Sequence, residues 1–461
     1  MAKKMILAFM LFLFLAGNKN ILAQSATYEA QIKHENQEVA WMIDHLFSIT
    51  EVMVTDVATP PGAARFYSYS LLAAYLVFHK HNNIDQDPLL KNLETPLPYP
   101  LPKPALDNVS LNESFSAMYA MLEVGKQLMP SGKNLKKSQE KLIEQFVKNK
   151  FLKKKALPAN IRYAEELAAL VLQYAKGDGY AYLSTMKRYS PSAGGGKWYP
   201  TPPAYMPAID PEWRTIRPYF IKDASAFSPK PPAEFSMEEG SSFHQQVHEV
   251  YSVTNALSEE QRLIANFWDC NPFNVSYSGH MAIGLKKISP GGHWMGITGI
   301  AAQKARLNLK NSIYIHTLVA MGLHDAFISC WDEKYRSDRI RPITVINEYI
   351  DQSWRPILQT PPFPEYTSGH SVISKTSAII LTSFFGDNFN FIDTSEVFFG
   401  LPERSFDSFL QASDEAAISR LYGGIHFRDA IEVGMEQGEA IAHYILNKVD
   451  LPKDILLTAD Q

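Results

Sequence analysis

The chain has 461 residues, 46% hydrophobic and 20% charged, with a formal net charge of −4. That is the balance of an ordinary soluble globular protein, and it leaves no cationic footprint of the kind nucleic acid requires. With only two cysteines, Cys270 and Cys330, the chain offers no CxxC zinc pattern and no CxxCH haem attachment. One disulfide or two buried free thiols are both compatible with the sequence.

Lys3 and Lys4 precede MILAFMLFLFLAG, an apolar run of signal-peptide length and too short to span a bilayer comfortably. The predicted signal peptide covers 1–23, with cleavage after Ala23 and an exported mature chain, periplasmic or secreted, from Gln24. No cysteine follows the apolar run, so a lipoprotein anchor is not expected. No further apolar run near 18 residues predicts a membrane span in the mature chain.

Beyond this leader the dominant period is 3.6 residues. Helical spacing recurs in 28–56, 63–79, 114–129, 135–152, 160–176, 241–252 and 258–268, and again in 295–327, 369–385, 408–422 and 427–447. Few segments alternate as strands do. The expected fold class is all-α, with packed helical bundles forming one domain over 24–461. Prolines punctuate it at 60–61, 97–104, 200–218, 228–232 and 361–364. The Lys-rich stretch 133–155 reads as a solvated helix face. The Pro- and aromatic-rich segment 194–220 reads as a linker or, better, as a strap lying on the surface.

Three stretches carry chemistry. In CWDEKYRSDRIRPITVI (330–346), Lys334 and Arg341 are seven apart, a spacing that puts both near one helix face, and Pro342 marks a boundary. Two cations so placed suit an oxyanion. In TSGHSVIS, Thr367 and Ser368 are N-cap residues for an apolar helix whose first N–H groups form an anion site. Gly369 permits close backbone approach, and His370 stands there as proton donor or acceptor. In SRLYGGIHFRDAIEVG (419–434), the pair Gly423-Gly424 ends one helix, so that Arg420 and His426 can share a pocket. Asp429 or Glu432 is expected to hold the second nitrogen of His426. Two other patterns are read as structural. They are Ser278-Gly279-His280, and the i,i+4 pair His244 and His248, which lacks the HExxH order of a zinc helix. His293, in SPGGHW, reads as a turn residue near the pocket.

Taken in order, Lys-x6-Arg-Pro, Ser-Gly-His and Ser-Arg-x5-His resemble the signature of the type 2 phosphatidic acid phosphatase and vanadium haloperoxidase superfamily. The matching positions are Lys334, Arg341, Pro342, Ser368, Gly369, His370, Ser419, Arg420 and His426. Thr367 departs from the usual Pro, and the trailing acid, Asp429, is one residue early. Trp331, Phe363, WYPTPPAY and SPGGHW are similar to the vanadium-dependent haloperoxidases, and the spacing from Trp331 to His426 is similar to that of the iodide-specific enzymes of marine flavobacteria.

The resemblance implies two helical bundles, with catalytic motifs in 325–435 and vanadate as cofactor. It places vanadium on His426, with Lys334, Arg341, Ser368, Gly369 and Arg420 around the oxyanion. His370, Lys334 and His426 would be catalytic, and Trp331, Phe363, Asp332 and Phe273 would line or back the halide side. The implied reaction uses hydrogen peroxide to oxidise a halide, iodide foremost, to hypohalous acid that passes to an organic acceptor. The same residues would also suit an exported acid phosphatase using a phosphohistidine at His426.

Overall fold

The core is built around a helix buried on all sides, whose few polar side chains, Arg65, Ser68 and Ser70, are buried with it and whose Arg65 is paired with Asp178. The computed structural model describes residues 36–79, 87–98, 100–104, 110–278, 281–284 and 287–451. The predicted signal peptide and the Gly279-His280 pair lie outside these residues. A first helix, α1, covers 36–55. The next, α2 (Pro60–Val77), is buried along its entire length. Its start is set by Thr59, whose Oγ1 accepts the Gly62 N–H at 3.1 Å, with Pro60 at the first helical position.

Three helices, α3 (Glu113–Leu128), α4 (Lys136–Lys148) and α5 (Leu157–Lys176), close a first bundle around α2. A second bundle contains α6 (Ser242–Asn255), α7 (Glu259–Phe267), α11 (Gly369–Phe385), α12 (Phe409–Tyr422) and α13 (Arg428–Lys448). Between them run α8 (Pro290–Lys304) and α9 (Leu309–Ser337); the latter packs on α2 in one direction and on α11 in the other. The short α10 (Pro342–Tyr349) follows. One apolar cluster runs from Val39 to Val449 through both bundles.

The single helix expected over 295–327 is two helices. The turn between them contains Arg306 at φ 52°, and Asn308 caps α9 by accepting the Asn311 N–H at 2.9 Å. Apolar spacing continues across a turn when both flanking helices face one core, so periodicity could not show this break. The buried α9 is also long and apolar enough, by composition, to cross a membrane, but its apolar window is wholly inside the protein. Two short hairpins were not anticipated: β1 (Val275–Ser278) with β2 (Met281–Gly284), and β3 (Phe391–Asp393) with β4 (Arg404–Phe406).

The segment 194–220 goes deeper than a surface strap. Trp198, Trp213, Tyr219 and Phe220 are all buried. Asp325, buried on α9, accepts the N–H groups of Tyr219 at 2.7 Å, Phe220 at 2.7 Å and Ile221 at 3.0 Å. A chain without regular structure can enter a core only when its backbone groups find such partners.

The closest helix contact lies between α11 and α13. A Cβ built on Gly438 would stand 2.2 Å from the Val372 carbonyl oxygen. Backbone cannot yield as a flexible side chain does, so Gly438→Ala should cost about 1–3 kcal/mol through overpacking. Chemical denaturation of the variant beside the parent checks this, and an unchanged midpoint would refute the tight seam.

Candidate active site

The three sequence motifs converge beside one pocket. Its surface includes Gly369, His370, Arg420 and His426. Phe273, Phe327, Trp331, Phe363 and Ile425 also line it, together with Asp269 and Cys270. Lys334, Arg341 and Ser368 are fully buried behind this lining.

Each cation is delivered by a different local device. Lys334 stands on the last turns of α9, which ends at Asp338 in the left-handed region, φ 53°. Arg341 is the N-cap of α10, so it belongs to a different helix from Lys334. The seven-residue spacing therefore does not act through a shared helix face; the turn at Asp338 turns Arg341 back toward the same pocket. Arg420 projects from the end of α12, where Gly423 and Gly424 follow. Gly424 sits at φ 74°, and a Cβ there would approach Pro356 to 3.0 Å, so the sharp entry to His426 needs glycine.

The hydrogen bonds of these cations are unusual. The Lys334 ammonium donates to three carbonyls, of Pro364 at 3.2 Å, Glu365 at 3.1 Å and Thr367 at 2.6 Å. Arg341 donates to the carbonyls of Phe363 at 2.9 Å and Ile425 at 2.8 Å, and its Nη1 meets His426 Nε2 at 3.2 Å. Arg420 donates to Ser419 Oγ at 2.9 Å and to the Trp268 carbonyl at 2.6 Å. Among the described residues none of the three pairs with a carboxylate, and Arg341 Nη2 is buried with no partner. Charge buried without a counter-ion is costly, so the set is matched to an anion.

The residue that orients His426 is Glu365. Its Oε1 receives the His426 Nδ1–H at 2.8 Å and the Phe427 N–H at 3.0 Å, and its Oε2 lies 3.2 Å from Arg339 Nη1. Neither acid expected from sequence does this. Asp429 pairs with Arg339 and accepts the Ala233 N–H, while Glu432 lies 3.6 Å from Arg428. With Nδ1 protonated toward Glu365, His426 Nε2 carries no proton; its lone pair faces Arg341 Nη1 at 3.2 Å and is the atom that could serve as a ligand. Burial, and then Arg341, Lys334 and Arg420, hold His426 well below the usual histidine range, which keeps it neutral.

His370 is held low as well, by burial and then by Arg420 and His426. A backbone hydrogen bond to Trp268 fixes its ring, and its Nε2 is buried without a partner. Ser368 caps α11 by accepting the Ser371 N–H at 3.4 Å. A Cβ on Gly369 would meet only Trp331 at 3.8 Å and Lys334 at 4.0 Å, so a side chain there would narrow the pocket without clashing. Trp331 and Phe363 pack with ring centres 4.9 Å apart and planes tilted by 52°, and the Lys334 ammonium lies 5.1 Å from the Phe363 ring.

Asp332 does not join this group. Its carboxylate turns to Arg336 at 3.3 Å and faces a separate cleft beside Lys187 and Arg188, because consecutive helix residues diverge by about 100°. Cys270 and Cys330 are free, buried thiols. His293 is not a turn residue but a fully buried one in the first turn of α8. His244 and His248 are neighbours on an outer face of α6, with ring centres 4.3 Å apart.

The donor set fits vanadate, a tetrahedral oxyanion: an unpartnered guanidinium nitrogen, a neutral imidazole with Nε2 unprotonated, and three buried cations bound mainly by backbone carbonyls. Burial lowers the Lys334 ammonium to about 8. It is cationic below that value and neutral above it, so oxyanion affinity should weaken as pH rises through about 8. Calorimetric titration with vanadate from pH 6.5 to 9.5 checks this, and Lys334→Arg should flatten the profile if Lys334 is its source.

Comparison with known proteins agrees with this geometry. Residues 314–452 match the family model of the VCPO second helical-bundle domain. No curated protein matches the chain at a significant level. Among solved structures, the first bacterial vanadium-dependent iodoperoxidase is 41% identical with a TM-score of 0.80, covering 91% of this chain and 98% of that one. A bacterial vanadium-dependent chloroperoxidase in its holo form shares the fold at 13% identity and a TM-score of 0.62, covering 88% and 93%. Its apo form gives 13% identity, a TM-score of 0.59, and coverage of 85% and 95%. The chain belongs to the vanadium-dependent haloperoxidase family.

Proposed function

We propose that the protein is a vanadium-dependent iodoperoxidase, oxidising iodide with hydrogen peroxide to hypoiodous acid for transfer to an organic acceptor. The observation that carries the reading is the pairing of a cation nest held mainly by backbone carbonyls with two neutral histidines, His370 and His426. Likeness to the iodoperoxidase supports it.

His426 would hold the cofactor through Nε2, with Glu365 keeping the ring in the required tautomer. Lys334, Arg341 and Arg420 would offset the oxyanion charge, joined by the Ser368 hydroxyl and the Gly369 N–H. When bound, vanadate supplies Lewis-acid activation of hydrogen peroxide without changing its own oxidation state. His370 would accept the proton that hydrogen peroxide gives up. Its basicity is depressed by burial and then by Arg420 and His426, and an anion in the nest would offset the part due to Arg420. Phe273, Trp331, Phe363 and Ile425 present the halide with an apolar wall. Desolvation costs least for the largest ion, so this wall favours iodide over bromide and chloride.

The purified protein should oxidise iodide only after vanadate is supplied, with bromide slower. His426→Ala should abolish that activity. Iodide oxidation without vanadate, or phosphate-ester hydrolysis by the vanadate-free protein in its place, would sink the proposal. Glu365→Gln should raise the vanadate concentration needed for half-maximal activity by about 10–100-fold, the usual effect of losing a ligand's supporting carboxylate. An unchanged vanadate requirement would remove Glu365 from that role.

A further inference from the structure

Near the anion pocket, but apart from its cation nest, is a second group of ligand-type side chains, Cys270, His293 and Glu396. They come from three distant stretches: the turn after α7, the first turn of α8, and the connection between β3 and β4. All three are buried. His293 Nδ1 lies 3.3 Å from Cys270 Sγ and 3.3 Å from Glu396 Oε1, and Sγ lies 4.0 Å from Oε1.

The Nδ1–Oε1 separation is long for a charge-assisted N–H···O bond, which runs at about 2.7–2.9 Å, whereas the Nδ1–Sγ separation suits a hydrogen bond to sulfur equally well. They are close to the edges of a coordination polyhedron. A tetrahedral zinc ion with ligand distances of about 2.3 Å to sulfur and about 2.0–2.1 Å to nitrogen and oxygen sets its ligands about 3.3–3.6 Å apart. The nitrogen–oxygen edge matches, the nitrogen–sulfur edge is about 0.3 Å short of ideal, and the sulfur–oxygen edge closes with a small movement of the Glu396 side chain.

The surroundings are also those of a metal ligand. His293 Nε2 lies 2.7 Å from Asp393 Oδ2. Asp393 is itself held, its Oδ1 accepting from the Ser395 N–H at 2.9 Å and hydroxyl at 2.6 Å. A carboxylate behind the imidazole puts the proton on Nε2 and turns the Nδ1 lone pair toward Cys270 and Glu396. Trp268 stacks on the ring at 4.4 Å and 19°, fixing its plane.

We propose that Cys270, His293 and Glu396 form a second metal site, for a divalent transition-metal ion and best suited to zinc, with Asp393 orienting His293. Thiolate, imidazole and carboxylate are zinc's usual donors. Cys270 also lines the anion pocket, so a water from that side would take the fourth position. Charge balances across the exchange: the dication displaces the thiol proton and a proton from the imidazole, and both protons leave to solvent. The ion would tie α8 and the β3–β4 connection to the turn carrying Trp268. The Trp268 carbonyl holds Arg420, so the metal would brace one wall of the anion pocket.

The full chain, produced with zinc in the medium and purified without chelator, should contain about one zinc per molecule by elemental mass spectrometry. Cobalt exchanged into the site should show thiolate-to-cobalt charge-transfer absorption in the near ultraviolet. Cys270→Ser and Glu396→Gln should each lose stoichiometric zinc, and Asp393→Asn should weaken zinc binding by about 10–100-fold. The double variant His244→Ala/His248→Ala and the His426→Ala variant should keep their zinc. Zinc that is absent from the parent and not taken up in competition with a chromophoric chelator would overturn the proposal, leaving an imidazolium held between two carboxylates. Zinc retained by both Cys270→Ser and Glu396→Gln would overturn it too. Measurements on the parent protein decide the matter even if a variant fails to fold, and none of them depends on vanadate or halide.

Discussion

Lys334, Arg341 and Arg420 are buried without carboxylate partners, and the rest of the site follows from keeping them there. Such charges normally lose their protons, find a counter-ion or stay wet. Here backbone carbonyls take that role, and most come from one segment. Phe363, Pro364, Glu365 and Thr367 each give a carbonyl to Lys334 or Arg341. The prolines of PPFPEYTSGH explain how. A residue without an N–H cannot continue a helix or a central strand, so its neighbours' carbonyls stay free to accept. The same segment supplies the Glu365 carboxylate that fixes His426, and the Ser368 cap that starts α11.

Carbonyl dipoles hold a cation without cancelling its charge. A carboxylate in contact with Arg341 or Lys334 would neutralise the nest and remove its pull on an oxyanion. Glu365 avoids this by spending its two oxygens on His426, on the Phe427 N–H and on Arg339. The two histidines respond to the same field. Both are kept neutral by burial and by the cations, which leaves one available as a ligand and the other as a proton acceptor.

The frame that fixes these distances is the central helix α9 between two bundles. It carries Trp331 and Lys334 toward the pocket, and Asp325 toward the buried strap at 219–221. The strap in turn covers the far side of α9. At the Ile209 carbonyl it receives the indole N–H of Trp331 at 3.4 Å. Rigid packing on both faces of α9 holds apolar and cationic side chains around one pocket without its collapsing.

The sequence by itself determined the helical class and most helix positions, and it picked out the residues that the fold gathers around one pocket. A 3.6-residue apolar period, N-cap chemistry at Ser368 and the Gly pair before His426 are local properties that need no tertiary partner. Recognition of the motif order placed Lys334, Arg341, His370, Arg420 and His426 in one site. Only the tertiary structure decided that Glu365, and not Asp429 or Glu432, orients His426. That contact joins residues 61 apart in the chain. It likewise showed that Asp332 faces away, that 295–327 contains a turn, and that Cys270, His293, Asp393 and Glu396 meet. Each of these depends on where distant segments cross, and a one-dimensional pattern carries no signal for a crossing whose partners share no fixed spacing.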